Sequence, residues 1–178
     1  MDFVKAARKG RDSALLQLFD EHHLPLFRFA YRLTGSVADA EDILQECFLG
    51  LLRPECSFDP SRTPVLRYLF GAVRNQALKR LRARGETGGE PESIADSWSP
   101  EKEAAQAELG VLLERAIARL PDLQREVLIL AHYEQLPLAE IAEVLEIEVT
   151  AVKSRLQRAR AALKEMLAAY APGMERQR

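Results

Sequence analysis

The residues with the clearest chemistry are cations near the end of the chain, at Lys153, Arg155, Arg158 and Arg160. Ammonium and guanidinium groups bind phosphate, so cations repeated along one helix can contact a nucleic-acid backbone. The apolar positions between them recur at steps of four, three and four residues, which is one face of an α-helix. These positions are Val152, Leu156, Ala159 and Leu163. The segment therefore predicts a basic amphipathic helix.

A second, shorter apolar pattern precedes this helix, in the sequence LAEIAEVL, and a short turn joins the two. This order is typical of a helix-turn-helix, in which the second helix enters a DNA major groove and the first one braces it. The alternative is an ordinary helical hairpin with a solvated basic face, because basic amphipathic helices are common.

A second basic helix is predicted from Pro64 to about Ala83, far from the first in sequence. Its apolar stripe is Leu66, Leu69, Phe70, Val73, Ala77 and Leu81. Its other faces carry the cations Arg67, Arg74, Lys79, Arg80, Arg82 and Arg84, with Asn75 and Gln76 among them. Two basic helices in separate halves favour two contacts along one extended polyanion.

A third functional pattern is acidic and lies on the helix predicted from Ser36 to about Arg53. Ile43, Leu44, Cys47, Phe48 and Leu51 form its predicted buried stripe. The polar face carries Asp39, Glu41, Asp42, Gln45 and Glu46. It can be a solvated face whose first turn suits the helix dipole, or a docking surface for a basic partner.

Enzyme and metal chemistry are not indicated. The chain has no Gly-rich phosphate loop, nucleophile elbow or metal motif, so we expect no enzymatic activity, cofactor or metal. Cys47 is expected in the core and Cys56 in a loop, too far apart for a zinc pattern. His22 and His23 are adjacent and leave a helix about 100° apart, which does not make a ligand pair.

The composition indicates a protein of the cytoplasm. The net charge is −2, so nucleic-acid binding must come from local basic patches. The chain has no run of 18 or more apolar residues, so no membrane span is predicted. The polar N-terminus also lacks an apolar signal core.

The helical patterns predict an all-α fold of two small domains. Residues 1–84 form the first, residues 85–100 a Gly-, Pro- and acid-rich flexible linker that includes Trp98, and residues 101–172 a four-helix domain with the helix-turn-helix. Pro25 is expected to kink or split the first helix, whereas Gly35 suits its C-cap. Later helices open at prolines, namely Pro100, Pro121 and Pro137, and the last ends near Tyr170.

With these patterns in place, the chain resembles a bacterial extracytoplasmic-function (ECF) sigma factor, the smallest type of RNA polymerase sigma subunit, over about residues 10–168. DAEDILQECF looks like the core-polymerase-binding helix and LFGAVRNQALKRLR like the promoter-melting helix of that family. RLPDLQREVLIL, AEIAEVL and AVKSRLQRARAAL resemble its domain for the minus-thirty-five element. All these segments occur in the family's order, across a linker.

The resemblance implies a role for each surface. The acidic residues Asp39, Glu41, Asp42, Gln45 and Glu46 would dock on core polymerase, on clamp helices of β′, with β as a further contact. Phe58 and Asn75 would capture a flipped minus-ten base, while Arg74, Lys79, Arg80 and Arg82 hold the separated strand. Lys153, Ser154, Arg155, Arg158 and Arg160 would bind the minus-thirty-five element. The implied partners are promoter DNA and an anti-sigma factor, with a monomer when free.

Some positions depart from the family. Tyr68 stands where Trp is usual, Lys79 where an acidic residue is frequent, and Ala151 where a Thr often contacts the backbone. Glu146 stands in the turn where Gly is preferred, and a Glu in a left-handed conformation is strained by about 1 kcal/mol. Glu148 adds a second carboxylate there. A stand-alone helix-turn-helix regulator, binding duplex without polymerase, is the alternative function.

Overall fold

The computed structural model describes residues 12–53, 55–84 and 104–168, and within these ranges the chain forms seven helices and no strand. The N-terminal half consists of α1 (Asp12–Thr34), α2 (Val37–Leu52) and α3 (Val65–Arg84). The C-terminal half consists of α4 (Ala104–Ala118), α5 (Asp122–His132), α6 (Leu138–Leu145) and α7 (Val149–Ala168). The predicted all-α fold and the four helices of the second half are confirmed. The predicted linker, with Trp98, and Tyr170 lie outside the described residues.

The junction between α1 and α2 follows the local sequence. Gly35 has a φ of 70°, and its N–H donates to the Tyr31 carbonyl at 2.7 Å. Ser36 then caps α2, because its side-chain oxygen accepts from the Asp39 N–H at 3.3 Å. Pro25 lies inside α1 without splitting it, so of its two predicted effects, a kink or a split, the split is wrong.

The core of the N-terminal half is made by the apolar stripes of its three helices. Phe29 of α1 and Phe70 of α3 are buried and meet edge to face, with ring centroids 5.3 Å apart. Ile43, Leu44, Cys47, Phe48 and Leu51 of α2 are all buried, as their spacing predicted. Burial raises the pKa of the Cys47 thiol to about 12.

The C-terminal half packs α7 against α4, α5 and α6. Val152, Leu156 and Ala159 are the buried residues of α7, while Leu163 is half-buried. Ile141, Ala142, Val144 and Leu145 form the buried side of α6. The apolar stripe therefore fixes which cations of α7 remain at the surface.

The two halves also pack against each other, through α1 with α5 and α3 with α6. Their buried apolar residues form one continuous cluster. The sequence left the arrangement of the halves open, and this contact brings the two basic helices to opposite sides of a shared boundary.

Candidate nucleic-acid and docking surfaces

The acidic face of α2 is largely open to solvent. Glu41, Asp42, Gln45 and Glu46 are exposed, as a docking surface requires. Asp39 differs from them because it is buried, with 6% of its surface exposed. Four of the five predicted docking residues can therefore be reached by a partner directly, whereas Asp39 lies beneath the surface.

Arg80 of α3 lies across this acidic face and not on an open DNA-binding surface. Its guanidinium donates to Asp39 and Asp42 at 3.3 Å each and to Glu46 at 2.8 Å. Although burial alone would lower it, the pKa of Arg80 is raised, because hydrogen bonds and attraction from these carboxylates outweigh that effect. Arg80 therefore links three of the predicted docking residues to one another.

The loop before α3 is closed over its predicted base reader. Phe58 is buried, with its ring centroid 5.0 Å from that of Tyr68. The Tyr68 hydroxyl is 3.3 Å from the Cys56 sulfur, and burial together with this hydrogen bond raises the pKa of Tyr68. Phe58 therefore faces the core and not an open base pocket, and a flipped base could stack on it only if the loop rearranged.

The remaining predicted cations of α3 divide into two groups. Lys79 and Arg82 are exposed, and so is the amide of Asn75. Arg74 is engaged: its Nε lies 2.6 Å and its Nη2 3.3 Å from the two carboxylate oxygens of Glu126 on α5. Asn75 and Arg74 line a cleft of about 390 Å³ between α3 and the C-terminal half.

The turn between α6 and α7 is a left-handed helix cap. Glu146 has a φ of 55° and a ψ of 45°, as its place in the predicted turn suggested. The N–H of Ile147 donates to the Ala142 carbonyl at 3.0 Å, which closes the end of α6. This cap sets the angle at which α7 leaves the turn.

Four of the five predicted residues of α7, Lys153, Ser154, Arg158 and Arg160, are exposed. The guanidinium of Arg160 also lies 3.1 Å from the His132 ring. Arg155 is mostly buried and donates to Glu126 at 3.3 Å. The surface thus carries a row of available cations beside one that is already paired.

Glu126 joins the two basic helices, and its side chain is completely buried. It accepts from Arg74 of α3 and from Arg155 of α7, which belong to different halves. A buried carboxylate with two guanidinium partners is fully hydrogen-bonded and charge-compensated.

Further contacts lie beside Glu126 at the boundary of the halves. Arg125 is buried, donates to the Leu33 carbonyl at 3.1 Å and pairs with Asp122 at 2.6 Å, although burial lowers its pKa. The guanidinium of Arg32 stacks 3.8 Å above the Tyr133 ring and lies 3.3 Å from Glu114. Polar contacts thus tie α1 and α3 to the C-terminal half.

Two other properties bear on function. Within the ranges 12–53, 55–84 and 104–168, no helix is long and apolar enough to cross a membrane. The same part of the chain holds no cluster of three or more His, Cys, Asp or Glu residues suited to a metal ion.

Comparisons with known proteins match each half of the chain to a sigma-factor family model. Residues 18–87 match the Sigma-70 region 2 model, and residues 110–163 match the model of Sigma-70, region 4. The chain is 31% identical over 177 residues to the ECF RNA polymerase sigma factor SigW of Bacillus subtilis, covering 92% of this chain and 94% of that protein. The chain belongs to the ECF sigma factor family. It therefore binds core RNA polymerase and directs promoter-specific transcription initiation, which sets aside the stand-alone regulator.

Two solved structures have a fold similar to that of this ECF sigma factor. CnrH in complex with the cytosolic domain of CnrY superposes with a TM-score of 0.70 at 27% identity, covering 94% of this chain and 96% of that one. The sigma factor RpoE, in complex with the anti-sigma factor NepR from Bartonella quintana, gives 0.68 at 25% identity, covering 85% and 95%. Both halves thus have structural counterparts.

Sequence reasoning missed the residues that join the halves of the sigma factor, namely Glu126, Arg125, Arg32 and Glu114. One signal was present: Glu126 directly precedes the apolar run VLIL, which brings a charge close to the expected core. A buried carboxylate requires a cationic partner, but the sequence does not say which arginine supplies it.

Proposed function

We propose that three surfaces of this sigma factor divide the work of initiation. The acidic face of α2 docks on core polymerase, α3 and the preceding loop hold the minus-ten element, and α7 binds the minus-thirty-five element. The observation that supports this division most is the presence, in one chain, of an exposed acidic helix and two basic helices within matched sigma regions 2 and 4.

The docking surface uses Asp42 and Glu46 as its main charges. Both carboxylates are exposed at the outer side of α2, with 64% and 49% of the side chain accessible. They fit a basic surface, which we propose to be the clamp helices of β′, with β as a further contact. Glu41 and Gln45 extend the same face, and Asp39 supports it through Arg80.

Minus-ten binding falls to Asn75, Lys79 and Arg82, whose side chains are exposed on α3. The Asn75 amide both donates and accepts hydrogen bonds, so it can read the edge of an unstacked base. Taking a base out of the stack costs a few kcal/mol, and contacts in the pocket must offset this cost. Phe58, Arg74 and Arg80 join this group only after leaving their present partners.

Minus-thirty-five binding falls to Lys153, Ser154, Arg158 and Arg160. These side chains are exposed on the first turns of α7, and a recognition helix places such residues at base edges and phosphates of a major groove. Arg155 is held by Glu126, which fixes its direction at the edge of this surface. We propose that Arg155 contacts DNA only after its guanidinium leaves Glu126.

Control by an anti-sigma factor is the regulatory part of the proposal. RpoE was crystallised with the anti-sigma factor NepR, and its fold is shared over 85% of this chain. We propose a comparable partner here, with action in the cytoplasm, no enzymatic activity, no cofactor and a monomeric free state. Residues 1–84 and 101–172 are the proposed domain limits, and residues 85–100 the proposed flexible linker.

The test is run-off transcription from a promoter library with bacterial core polymerase, with and without the chain. Transcripts from a defined promoter class that require the chain are expected. Asp42→Arg places a cation beside Arg80 and should abolish association with core polymerase, as measured by size-exclusion chromatography. Asp20→Arg, an equal charge change at an exposed site on α1, should not. Equal association of both variants would refute the docking face.

A further inference from the structure

Two arginines of the proposed minus-thirty-five surface have partners within the chain, and the partners differ in charge. Arg155 donates to the Glu126 carboxylate, whereas the guanidinium of Arg160 meets the imidazole ring of His132. The Nε2 atom of His132 lies 3.2 Å from Nε and 3.1 Å from Nη2 of Arg160. His132 is the last residue of α5, so this contact joins the end of α5 to α7.

The chemistry of the two groups fixes their roles in this contact. A guanidinium has only donors, so Nε2 of His132 accepts, which requires the lone pair of a neutral ring with its proton on Nδ1. Within the part of the chain that the structure describes, no carboxylate pairs with Arg160. Arg160 is therefore oriented by an uncharged acceptor and keeps its full positive charge.

Arg160 lies on the same side of α7 as Lys153. Seven residues make nearly two helical turns, so the two side chains leave the helix in nearly the same direction. Both are exposed, and so is His132. The contact with His132 uses the Nε and Nη2 edge of the guanidinium, so the two N–H groups of Nη1 remain available to a phosphate.

An uncharged partner is the kind that can prepare an arginine for phosphate binding. A long side chain that rotates freely loses this freedom when it binds, which weakens binding, and a contact that already holds it removes part of the loss. A carboxylate also holds an arginine, but it uses the same forked geometry as phosphate and therefore competes with it. A neutral imidazole orients the guanidinium and leaves its charge uncompensated.

We propose that His132 is a positioning residue of the minus-thirty-five surface, which holds the Arg160 guanidinium in the direction of a DNA phosphate. The inference rests on the proposed minus-thirty-five role of α7. His132 acts through Arg160 and not as a cation of its own. Removal of the ring should therefore weaken duplex binding only while Arg160 is present, and should leave the number of phosphate contacts unchanged.

The experiment uses the full chain and a short fluorescein-labelled DNA duplex of mixed sequence. Fluorescence anisotropy gives the Kd over a series of salt concentrations at about pH 8, where imidazole groups are ordinarily neutral. The variants are His132→Leu, His132→Gln, Arg160→Gln and the double variant His132→Leu with Arg160→Gln. Gln at position 132 keeps an uncharged acceptor oxygen. The matched control is His22→Leu, which removes an imidazole from α1.

His132→Leu should weaken duplex binding about threefold, as expected when one long side chain loses its orientation, without a change in the salt slope. His132→Gln and His22→Leu should bind like the wild-type chain. Arg160→Gln should reduce the salt slope by about one unit, and His132→Leu should have no further effect in that background. Proton–nitrogen NMR of the free chain should show an Arg160 Nε–H resonance protected from exchange with water, and His132→Leu should lose that protection.

Four results would overturn the proposal. An equal effect of His132→Leu with and without Arg160 would mean that the ring acts on the fold and not on the guanidinium. Weak binding by His132→Gln would mean that the acceptor is not what matters. A lower salt slope in His132→Leu would show that the ring itself contacts phosphate as a cation. Unchanged binding by Arg160→Gln would remove Arg160 from the DNA surface.

Failure of the proposed function gives a different pattern. A wild-type chain that binds no duplex, although its Arg160 Nε–H resonance is protected, would refute the minus-thirty-five role of α7 and with it the use of this contact in DNA binding.

Discussion

The contact between Arg74 and Glu126 can be measured as a coupling free energy, with an internal control at the same carboxylate. The change is a double-mutant cycle with Arg74→Gln, Glu126→Gln and the double variant. Gln keeps much of the size of the side chain and removes its charge. A second cycle uses Arg155→Gln in place of Arg74→Gln. Arg155 binds the same carboxylate but belongs to the same half as Glu126.

The geometry sets the expected magnitudes. A hydrogen bond to a charged group contributes about 1.5–3 kcal/mol and a neutral one about 0.5–1.5 kcal/mol. Arg74 makes two contacts, at 2.6 and 3.3 Å, with a carboxylate that has no exposed surface, whereas Arg155 makes one contact at 3.3 Å. Because both arginines retain some solvent contact, we expect coupling of about 1.5 kcal/mol for Arg74 and about half of that for Arg155.

The assay is urea unfolding followed by circular dichroism, with the coupling taken from the four unfolding free energies of each cycle. Coupling below about 0.5 kcal/mol lies within the scatter of independent sites. Such a value for Arg74, with coupling retained for Arg155, would refute closure of the halves in solution. Loss of coupling in both cycles would instead refute the account of Glu126 as a charged hydrogen-bond acceptor.

Three further predictions concern the helix-turn-helix and the core. Glu146→Gly relieves a φ of 55° and should add about 0.5–1 kcal/mol to the unfolding free energy, seen as a rise in Tm; an unchanged Tm would argue against strain in the turn. The pKa of Cys47 is about 12 in the folded chain and ordinarily 9.0, so above pH 9.0 the unfolded chain binds fewer protons and stability falls as pH rises. This thiol should contribute about 1.4 kcal/mol per pH unit to that fall. Urea unfolding at a series of pH values should show this contribution in the wild-type chain and not in Cys47→Ala. Arg158→Ala should weaken binding to all duplexes alike and reduce the salt slope by about one unit; loss of preference at a single base pair would mark Arg158 as a base reader.

Local features of the fold could be predicted from the sequence because their causes are local. Ser36 caps α2 through an N–H three residues away, and Gly35 ends α1 through a carbonyl four residues away. The left-handed conformation of Glu146 follows from its place in a turn where the related family prefers Gly. The buried stripes of α2 and α7 follow from helical periodicity alone.

The roles of individual charges could not be predicted in the same way. Arg80 reaches carboxylates on α2 that lie 34 to 41 residues away in sequence, and Arg74 reaches Glu126 at a separation of 52 residues. Periodicity indicates which face of a helix is polar, but it does not distinguish a cation facing solvent from one facing a distant carboxylate. Phe58 is a related case, because its aromatic ring suits both a base and the core.

The internal ion pairs also change how DNA binding by this sigma factor should depend on salt. The chain has 25 Lys and Arg residues against 27 Asp and Glu residues, so many cations can have acidic neighbours. A cation that is free before binding adds about one unit to the salt slope, through counterions released from DNA. Arg74 first has to leave Glu126, and the exposed carboxylate takes up cations as it does so, which cancels part of that release. The salt slope of minus-ten binding by the free chain should therefore be shallower than its phosphate contacts imply, whereas binding through exposed Lys153 and Arg158 should follow the full count.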